Sequence, residues 1–260
     1  READSLLITA GAGMGVDSGL PDFRGNEGMW AAYPALGDAK IPFESIANPD
    51  AFAKDPALAW GFYGHRLALY RQTTPHAGFA ILRRWAQRVS NGAFVFTSNV
   101  DGQFQKAGFP EEAVAECHGS IQFLQCTQPC SRDIWAADGF VPQVDHRACR
   151  LLNDFPRCPR CGALARPNVL MFWDWGWLEW REERRRARLD GWLRSGRRRV
   201  VVELGAGSSL PTVRRFSERH GPRVIRINSR EPEINPASGV GLRGGALDVL
   251  TKLDRLWTAT

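Results

Sequence analysis

Four short apolar runs, each ending on small or polar residues, constrain this chain more than any other sequence feature. The runs cover residues 5–9, 93–97, 199–202 and 223–227. Runs that finish in this way are typical of buried parallel strands whose carboxyl ends hold a ligand. Helix-like stretches separate the runs, clearest at 57–72, 76–89 and 178–193, and a further helix is expected from about Asp17. This alternation predicts an α/β fold, a doubly wound Rossmann-like parallel sheet.

Two regions interrupt the alternation and predict a smaller, discontinuous domain. Residues 26–70 are rich in proline, glycine and aromatic residues without a clear strand, and we expect a cofactor loop followed by a helical insert. Residues 119–166 hold closely spaced cysteines and are expected to form a zinc-binding insert. The Rossmann-like domain is then assembled from residues 1–25, 71–118 and 167–260.

Two cysteine pairs, one C-x3-C and one C-x2-C, predict a structural zinc ion. Short-spaced pairs a few tens of residues apart can close a tetrahedral site of four thiolates, although disulfides remain an alternative on spacing alone. The four predicted ligands are Cys126, Cys130, Cys158 and Cys161. Cys117 and Cys149 are interpreted as buried thiols in a reducing compartment, and the predicted location is cytoplasmic.

The formal net charge of +6 mildly favours acidic partners. Residues 181–199 contribute most of it, with nine arginines among three acids. A solvated helix face explains this run more readily than a docking patch, and composition does not decide between them. We do not expect a nucleic-acid partner. No apolar run approaches the roughly 20 residues of a membrane helix, so no membrane partner is expected either, and the oligomeric state is left open.

A glycine turn follows the first apolar run and indicates a phosphate-binding site. Gly11-Ala12-Gly13 lets the backbone approach a pyrophosphate at a helix N-terminus. The full G-x-G-x-x-G pattern is absent, because Val16 stands where the third glycine belongs, so a turn without a ligand is an equal alternative. A proline-fixed loop beside the turn then supplies an acid, an aromatic and an arginine, which favours a ligand: Asp22, Phe23 and Arg24.

Polar residues at the end of the second run are candidates for recognising a nicotinamide. Asn99 and Asp101 offer an amide and a carboxylate there, and an Asx turn is the alternative explanation. His118 precedes Gly119 and Ser120, directly before the cysteine insert. A histidine suits a general base because its pKa lies near working pH, although a lone histidine is more often structural.

Together these motifs resemble those of the sirtuin family over nearly the whole chain. Residues 11–25 (GAGMGVDSGLPDFRG) are similar to the family's opening motif, and 97–102 (TSNVDG) to its Thr-Gln-Asn-Ile-Asp-Gly strand end. His118-Gly-Ser120 resembles the family's His-Gly-Ser, and the cysteine pairs fall where the family holds structural zinc. Residues 205–208 (GAGS), Asn228 and 245–247 (GAL) resemble its adenosine-binding segments.

The resemblance implies an NAD-dependent protein lysine deacylase that yields free lysine, nicotinamide and O-acyl-ADP-ribose. The acyl oxygen of the modified lysine would attack the ribose carbon as nicotinamide leaves. His118 would then take a proton from a ribose hydroxyl, and Asn99 and Asp101 complete the implied catalytic set. The implied NAD-binding residues are Gly11, Ala12, Gly13, Asp22, Phe23, Arg24, Ser98, Asn99, Asp101, Gly205, Gly207, Ser208, Asn228, Ala246 and Leu247. Zinc would be structural, since four thiolates leave no position for a water.

The implied partner is an acylated protein or peptide. Val169, Met171 and Phe172 belong to a segment that resembles the family's peptide-pairing segment. Tyr63 and Arg66 form a Tyr-x-x-Arg that resembles the motif of the branch that removes succinyl and malonyl groups. An arginine fork suits an acyl carboxylate, so acidic acyl groups are the expected preference over acetyl. The alternative is that Tyr63 packs and Arg66 is a surface charge.

Several positions depart from the family pattern. Ser98 stands where a glutamine is usual, which puts ribose positioning in doubt. Trp173 and Trp175 fall in the segment that usually reads Phe-Gly-Glu, and they could narrow the peptide groove. These departures support a rival function, an NAD-dependent ADP-ribosyltransferase or NAD glycohydrolase on the same scaffold. A nonenzymatic NAD sensor or a nucleic-acid-binding zinc protein is the third hypothesis.

Overall fold

A computed structural model describes residues 2–22, 25–195, 198–221 and 223–258. In chain order its strands are β1 (Ser5–Ala10), β2 (Ala93–Thr97), β3 (Val114–Glu116), β4 (Gly119–Cys126), β5 (Ile134–Ala136), β6 (Val144–Asp145), β7 (Arg150–Leu151), β8 (Ala165–Val169), β9 (Arg199–Leu204), β10 (Val224–Asn228) and β11 (Gly239–Arg243). Its α-helices are α1 (Gly25–Ala32), α2 (Pro34–Asp38), α3 (Phe43–Ile46), α4 (Pro49–Lys54), α5 (Pro56–Gln72), α6 (Ala77–Ala86), α7 (Gln103–Lys106), α8 (Trp180–Ser195), α9 (Thr212–His220) and α10 (Ala246–Thr258).

Six parallel strands form the large sheet, in the order β11-β10-β9-β1-β2-β3. The central strand β1 is buried along its whole length, and Ile8 lies between Val95 of β2 and Val202 of β9. A nearly continuous apolar run is what a parallel strand covered on both faces requires. The order reverses at β1, so the carboxyl ends of β1, β2 and β9 meet at one edge.

Helices cover both faces of the large sheet and create its two apolar cores. On one face α6 and α10 pack against the strands through Phe79, Leu82 and Leu250. On the other face α8 and α9 pack through Leu189, Val213 and Phe216. The predicted doubly wound, Rossmann-like sheet is confirmed.

The smaller domain combines the helices α1–α5 with a three-stranded antiparallel sheet of order β5-β4-β8. Trp60, Phe62 and Tyr63 of α5 are fully buried in a third apolar core, which includes Ile121 and Leu124 of β4. The helical insert and the cysteine-bearing insert therefore share one core. The expected boundary at residue 166 falls inside β8, so that strand begins in one predicted segment and ends in the next.

The helix expected from about Asp17 is wrong. Two 3-10 turns, Ala12–Met14 and Val16–Ser18, occupy this segment, and Gly19 follows in the left-handed conformation with φ of +84°. A left-handed residue ends a helical turn, and glycine adopts that conformation without the steric cost that a side chain incurs. Among the described residues, no helix combines the length and the apolar character needed to cross a membrane.

Candidate functional site

Two glycine loops pack backbone to backbone at the carboxyl edge of the large sheet. The amide of Gly13 donates to the carbonyl of Gly205 at 3.0 Å, and the amide of Gly11 donates to Leu204 at 2.9 Å. A Cβ at Gly13 would lie 2.7 Å from the Cα of Gly205, and Gly205 itself has φ of +58°. Gly11, Gly13 and Gly205 are thus required as glycines, because a side chain at any of them would clash with the backbone of the facing loop. A Cβ at Gly207 would meet nothing within 4 Å, so that residue faces open space.

Asn228, at the end of β10, joins the second glycine loop to the segment that follows β10. Its side-chain amide donates to the carbonyl of Ala206 at 2.9 Å, and its Oδ1 accepts from the amides of Arg230 and Glu231. The Glu231 carboxylate in turn accepts from the backbone and hydroxyl of Ser208. Sequence reasoning missed Glu231, because its partner Ser208 lies more than twenty residues away.

The start of α10 also lies at the carboxyl edge of the large sheet, next to the first glycine loop. The amide of Leu247 donates to the carboxylate of Asp17 at 2.8 Å, and Ala246 is buried. The predicted cofactor residues in 11–13, 205–208, 228 and 246–247 therefore converge on one end of the sheet. Asp22 is half-buried at the end of its described segment. Phe23 and Arg24 lie outside the described residues.

Asn99 and Asp101 lie where β2 ends, beside the first glycine loop. The Asn99 side chain donates to the carbonyl of Gly11 at 3.0 Å, and the Asp101 carboxylate accepts from the amide of Gln103 at 2.9 Å. Burial, reinforced by the negative charge of Glu116, raises the pKa of Asp101 to about 6, and the Gln103 amide opposes this shift. The site thus holds a carboxyl group that titrates close to neutral pH.

His118 lies at the junction between the large and the small sheet, in the two-residue link between β3 and β4. Burial lowers the pKa of its ring, while a hydrogen bond with the Ser98 backbone raises it, and the net shift is downward. The backbone carbonyl of His118 accepts from the amide of Leu170, directly after β8. The ring is therefore neutral near pH 7, and a neutral imidazole can accept a proton.

Two buried arginines of α8 hold the segment immediately before His118. Arg181 and Arg185 both donate to Oε2 of Glu116, at 3.0 and 2.9 Å, and both also bind Glu111. The other oxygen of Glu116 is buried with no hydrogen-bond partner among the described residues. This cluster was invisible in the sequence, since its arginines lie 65 to 74 residues after its acids.

Arg66 lies in α5, surrounded by phenols. Its Nε donates to the hydroxyl of Tyr70 at 2.9 Å, and its guanidinium lies 5.2 Å from the ring centroid of Phe62. Burial lowers the pKa of Arg66, but the phenols of Tyr70, Tyr33 and Tyr63 raise it, and the net direction is upward. Arg66 is thus not the surface charge of the alternative interpretation.

The predicted partner of Arg66, Tyr63, is more deeply placed than the motif suggests. Its ring stacks on Phe52 with centroids 5.6 Å apart, and only 1% of the residue is exposed. Burial raises the pKa of the Tyr63 phenol to about 12. Tyr70, four residues after Arg66 in the same helix, also contacts Arg66. The Tyr-x-x-Arg motif does not include this neighbour.

Strand β8 is an edge strand, and an ion pair fixes the loop that follows it. Arg166 forms a bidentate pair with Asp174, with N–O distances of 2.7 and 2.8 Å, and both side chains are buried. Val169 and Met171 are buried, whereas Phe172 is half-buried and donates its amide to Ala47 of the helical insert.

The same loop exposes two tryptophans. Trp173 is 67% exposed and has φ of +53°, and Trp175 is 97% exposed. A bulky residue in the left-handed region is strained, so the loop around Asp174 must hold it there. The loop is ordered by its buried ion pair and presents both indoles to solvent beside the free edge of β8.

The four predicted cysteine ligands form one cluster. All four Sγ atoms lie within 4.8 Å of one another, and the Cys126–Cys161 and Cys130–Cys158 sulfurs are 3.6 Å apart. A tetrahedral zinc with Zn–S bonds of about 2.3 Å requires similar sulfur separations. The residues fit a structural zinc ion, and the prediction of this site is confirmed.

The remaining two thiols are not part of this cluster. Burial raises the pKa of both Cys117 and Cys149 to about 12, so neither is a thiolate near neutral pH. Cys149 is buried, as predicted, whereas Cys117 is only half-buried.

Comparison with known proteins gives a consistent match. A protein-family profile described as the Sir2 family matches residues 11–180. The NAD-dependent protein deacylase 2 of Pyrobaculum aerophilum is 33% identical over 248 residues, which are 95% of this chain and 88% of that protein. The NAD-dependent protein deacylase of Pyrococcus furiosus is 31% identical over 255 residues, 97% of this chain and 92% of that protein.

Solved structures match over the same span. A Sir2 homologue in complex with NAD superimposes with a TM-score of 0.73 at 25% identity, covering 99% of this chain and 91% of the other. Sir2Tm bound to a propionylated peptide superimposes with a TM-score of 0.65, covering 100% and 95% of the two chains. Its identity is 16%, so this second likeness concerns the fold alone.

Proposed function

Because this chain belongs to the Sir2 family, the sirtuins, and is an enzyme of that type, we propose that it transfers acyl groups from protein lysines to NAD. The acyl oxygen would bond to the ribose carbon of NAD as nicotinamide leaves, and a ribose hydroxyl would then attack the acyl carbon. One water would be consumed as the lysine amine departs, so that the products would be free lysine, nicotinamide and O-acyl-ADP-ribose. One observation carries the proposal: neutral His118 lies between the Asn99 strand end and the β8 edge strand.

The carboxyl edge of the large sheet is the proposed NAD site. Gly11, Ala12 and Gly13 present a turn whose backbone can approach the pyrophosphate, and Gly207 has open space for a ligand. Asn228 and Ser208 belong to the adenosine end, together with the start of α10 at Ala246 and Leu247. These groups bind and orient the dinucleotide so that its nicotinamide end reaches β2.

At the nicotinamide end, Asn99 and Asp101 are the proposed carboxamide-binding pair. The Asn99 side chain is already oriented by its bond to Gly11, and Ser98 lies between β2 and His118. An amide and a carboxyl are complementary to a carboxamide because together they offer a donor and an acceptor. Asp22, Phe23 and Arg24 are proposed to complete this end.

His118 is the proposed general base. Its lowered pKa keeps the ring neutral near pH 7, and the Ser98 hydrogen bond fixes its orientation. Such a base removes a proton from a ribose hydroxyl, which typically accelerates a reaction 10²- to 10⁴-fold. The Glu116 cluster behind it restrains the backbone that carries the ring.

Arg66 is the proposed acyl-recognition residue, and it favours succinyl and malonyl over acetyl. A half-buried guanidinium among phenols offers charge-assisted hydrogen bonds to a carboxylate. We propose that the phenols of Tyr63 and Tyr70 lie beside the acyl group that Arg66 binds. An acetyl group has no carboxylate to bind, so it would leave this charge without a ligand.

An acylated peptide is proposed to bind along the free edge of β8 near Val169, Met171 and Phe172. Exposed edges add strands through main-chain hydrogen bonds. The zinc ion is proposed to hold β4 and β8 in register for this purpose, since four cysteine ligands leave no open position for chemistry. Thiolate ligands require a reducing compartment, so the cytoplasm remains the proposed location.

A second candidate function is ADP-ribosyl transfer or NAD hydrolysis on the same scaffold. Ser98 favours it, because the side chain beside His118 is shorter than the usual glutamine and leaves room for another acceptor. The two exposed indoles at Trp173 and Trp175 also differ from the family pattern.

The deciding experiment incubates the purified protein with NAD and one peptide that carries acetyl-, malonyl- or succinyl-lysine. We expect loss of malonyl and succinyl groups, with matching O-acyl-ADP-ribose by mass spectrometry. Loss of acetyl alone would retain the deacylase and reject Arg66 as a carboxylate-binding residue. Nicotinamide release with all peptides intact would instead support the second candidate.

A further inference from the structure

The positive charge of this molecule is concentrated on two adjacent helices and the strands that follow them. Residues 184–199 and 212–223 contain twelve arginines and two acids, a formal charge of +10. The whole chain carries +6, so the rest of the molecule carries −4. Sequence reasoning treated the first of these segments alone, as a helix face. The fold brings the second segment beside it.

Six basic residues meet at the amino edge of the large sheet, opposite the proposed NAD site. The helices α8 and α9 both end at this edge, and β9 and β10, which start there, are neighbours in the sheet. We call this set the basic edge: Arg194, Arg198, Arg199, Arg219, His220 and Arg223. Contacts link the two halves, since Arg199 donates to the carbonyl of His220 at 3.1 Å and the Val201 amide donates to Arg223.

Two of the acids near the basic edge pair with arginines outside it. Asp190 binds Arg186, and Glu218 binds the buried Arg226. Asp4 accepts from the amide of Arg198 and from the hydroxyl of Ser5. Burial lowers the pKa of His220, and Arg186, Arg199 and Arg219 lower it further, which indicates a positive local potential. The five arginines of the basic edge therefore keep an excess of positive charge, which Asp4 offsets only in part.

The helix dipole accounts for only part of this charge. A cation at a helix C-terminus interacts favourably with the helix dipole, and the effect is confined to the last turn. One or two arginines on each helix would satisfy that requirement. Arg198 and Arg223, which are exposed and precede strands, lie beyond both helices.

The lack of exposed large apolar side chains beside the basic edge favours one class of acidic partner over the others. None of the large hydrophobic side chains exposed in the described residues falls within 184–199 or 212–223. Peripheral membrane helices insert aromatic or aliphatic side chains, and protein interfaces depend on buried apolar anchors. Contacts to a nucleic-acid backbone need neither, because arginines bind phosphates through charge and hydrogen bonds.

We propose that the basic edge binds the phosphate backbone of duplex nucleic acid, independently of base sequence and of the NAD site. Neighbouring strands lie about 5 Å apart, and each DNA strand carries one charge per roughly 3.4 Å of helix axis. The exposed Arg198 and Arg223 precede these two adjacent strands, and side chains as long as arginine can contact neighbouring phosphates of one DNA strand from there. Because the carboxyl edge is on the opposite side, the enzyme can bind a duplex while its proposed active site remains open.

Fluorescence anisotropy with a labelled 20-base-pair DNA duplex, without NAD or peptide, tests the proposal. Four to six phosphate contacts predict a slope of log affinity against log salt of about −4 to −5. Affinity should then fall roughly 10²- to 10³-fold between 50 and 200 mM salt. No binding by the wild-type protein at 50 mM salt would overturn the proposal.

Two charge-matched variants locate the binding surface. Arg194→Glu with Arg219→Glu alters exposed residues that have no side-chain ion pair among the described residues. It should weaken duplex binding at least tenfold and reduce the salt slope by about 2. Arg132→Glu with Arg147→Glu makes the same change of net charge on exposed residues of the zinc-binding insert, and should change affinity less than twofold.

Three results would reject the basic edge as a nucleic-acid surface. The first is an equal loss of affinity in both double variants, which would indicate a net-charge effect. The second is binding to phosphatidylserine vesicles that depends on Arg194 and Arg219 and is tighter than binding to the duplex. The third is binding to polyglutamate that depends on the same two residues and is tighter than binding to the duplex. Activity of the Arg194/Arg219 variant on a short acyl peptide should equal that of the wild type, so this test is separable from the proposed catalytic function.

Discussion

The large sheet and the small sheet meet at Cys117 and His118, and they are stabilised by different interactions. The large sheet has an apolar core on each face, covered by α6 and α10 on one side and by α8 and α9 on the other. The small sheet packs one side on α5 and ends at four cysteines, of which Cys161 is exposed and Cys130 half-buried. Both regions have an apolar core and buried ion pairs, and the small sheet has in addition the four-cysteine cluster that fits a structural metal.

This difference separates the two halves of the proposed reaction. The large sheet contributes backbone loops and strand ends, which suit a dinucleotide that is recognised through its phosphates and amides. The small sheet contributes the edge strand β8 and its loop, which suit a peptide. Perturbing one sheet should therefore affect binding of one substrate more than the other.

Zinc removal should have the largest effect and should fall on the small sheet. Structural zinc contributes roughly 10–16 kcal/mol in zinc-finger peptides, because binding and folding are coupled. Hydrogen exchange after chelation should show lost protection in β4, β5 and β8, while β1 and β9 remain protected. Re-addition of zinc is the control. Equal loss of protection in β1 and β9 would contradict the separate stabilisation of the two sheets.

Substitution of His118, at the junction of the two sheets, should strongly reduce turnover while the large sheet still binds NAD. His118→Ala removes the proposed base and should reduce deacylation 10²- to 10⁴-fold. NAD affinity, measured by calorimetry, should change less than about twofold. His146→Ala, an exposed histidine of the zinc-binding insert, is the matched control. Unchanged turnover in the His118 variant would refute the assigned base.

Asp101 tests whether an ionised carboxylate at the carboxyl edge of the large sheet lowers the free energy of unfolding. Its folded-state pKa of about 6 exceeds the ordinary value of 3.8, so the folded protein binds this proton more tightly than the unfolded chain. Stability therefore falls as pH rises from about 4 to about 6, by up to about 3 kcal/mol, and the full cost persists above pH 6.

The variant Asp101→Asn lacks this carboxyl group, so it should gain stability over the wild type at pH 8 but not at pH 4. Urea unfolding at both pH values measures the difference. Gln103 remains a hydrogen-bond donor to the new amide oxygen, so the local turn is retained. A gain of the same size at both pH values would mean that the ionised carboxylate is not the source of the cost.

Arg66 tests the proposed role of the helical insert in acyl preference. Arg66→Met should lower kcat/KM for a succinyl peptide about 10- to 100-fold, since a hydrogen bond to a charged group contributes roughly 1.5–3 kcal/mol. Activity on an acetyl peptide should change little. Arg71→Met, which removes an arginine bound to the carbonyls of Ala137 and Phe140, is the control and should affect both peptides alike. Equal losses on both peptides in the Arg66 variant would exclude its role in carboxylate recognition.

The smallest effect is expected from the exposed loop after β8. Trp175 is 97% exposed, so Trp175→Ala should raise KM for a peptide only about two- to fivefold, through lost stacking or cation–π contact. The value of kcat and the KM for NAD should stay unchanged, because the loop belongs to the small sheet. A lower kcat would show that the loop also affects the large-sheet half of the site.

The strands and the zinc cluster could be predicted from sequence because their signals are local. Continuous apolar runs predicted β1, β2, β9 and β10, and cysteine spacing predicted all four ligands. The helix near Asp17 failed because the glycines at 15 and 19 favour tight turns over a continuous helix. Apolar spacing cannot reveal that difference.

Long-range charge pairs could not be predicted. Glu116 with Arg181 and Arg185, and Arg166 with Asp174, depend on which helix or loop lies over which strand. The same limitation hid the basic edge, because α8 and α9 are neighbours only after the sheet has assembled. A single sequence specifies its ionisable residues but not their tertiary partners.

Product stoichiometry in a single turnover tests the central claim most directly. Enzyme in excess over a succinyl-lysine peptide, with saturating NAD, is quenched over time, and nicotinamide, free lysine peptide and O-succinyl-ADP-ribose are measured by mass spectrometry. The account predicts that all three products form in equal amounts. Nicotinamide formed in excess of deacylated peptide, with ADP-ribose or ADP-ribosylated protein as the co-product, would contradict acyl transfer as the main reaction.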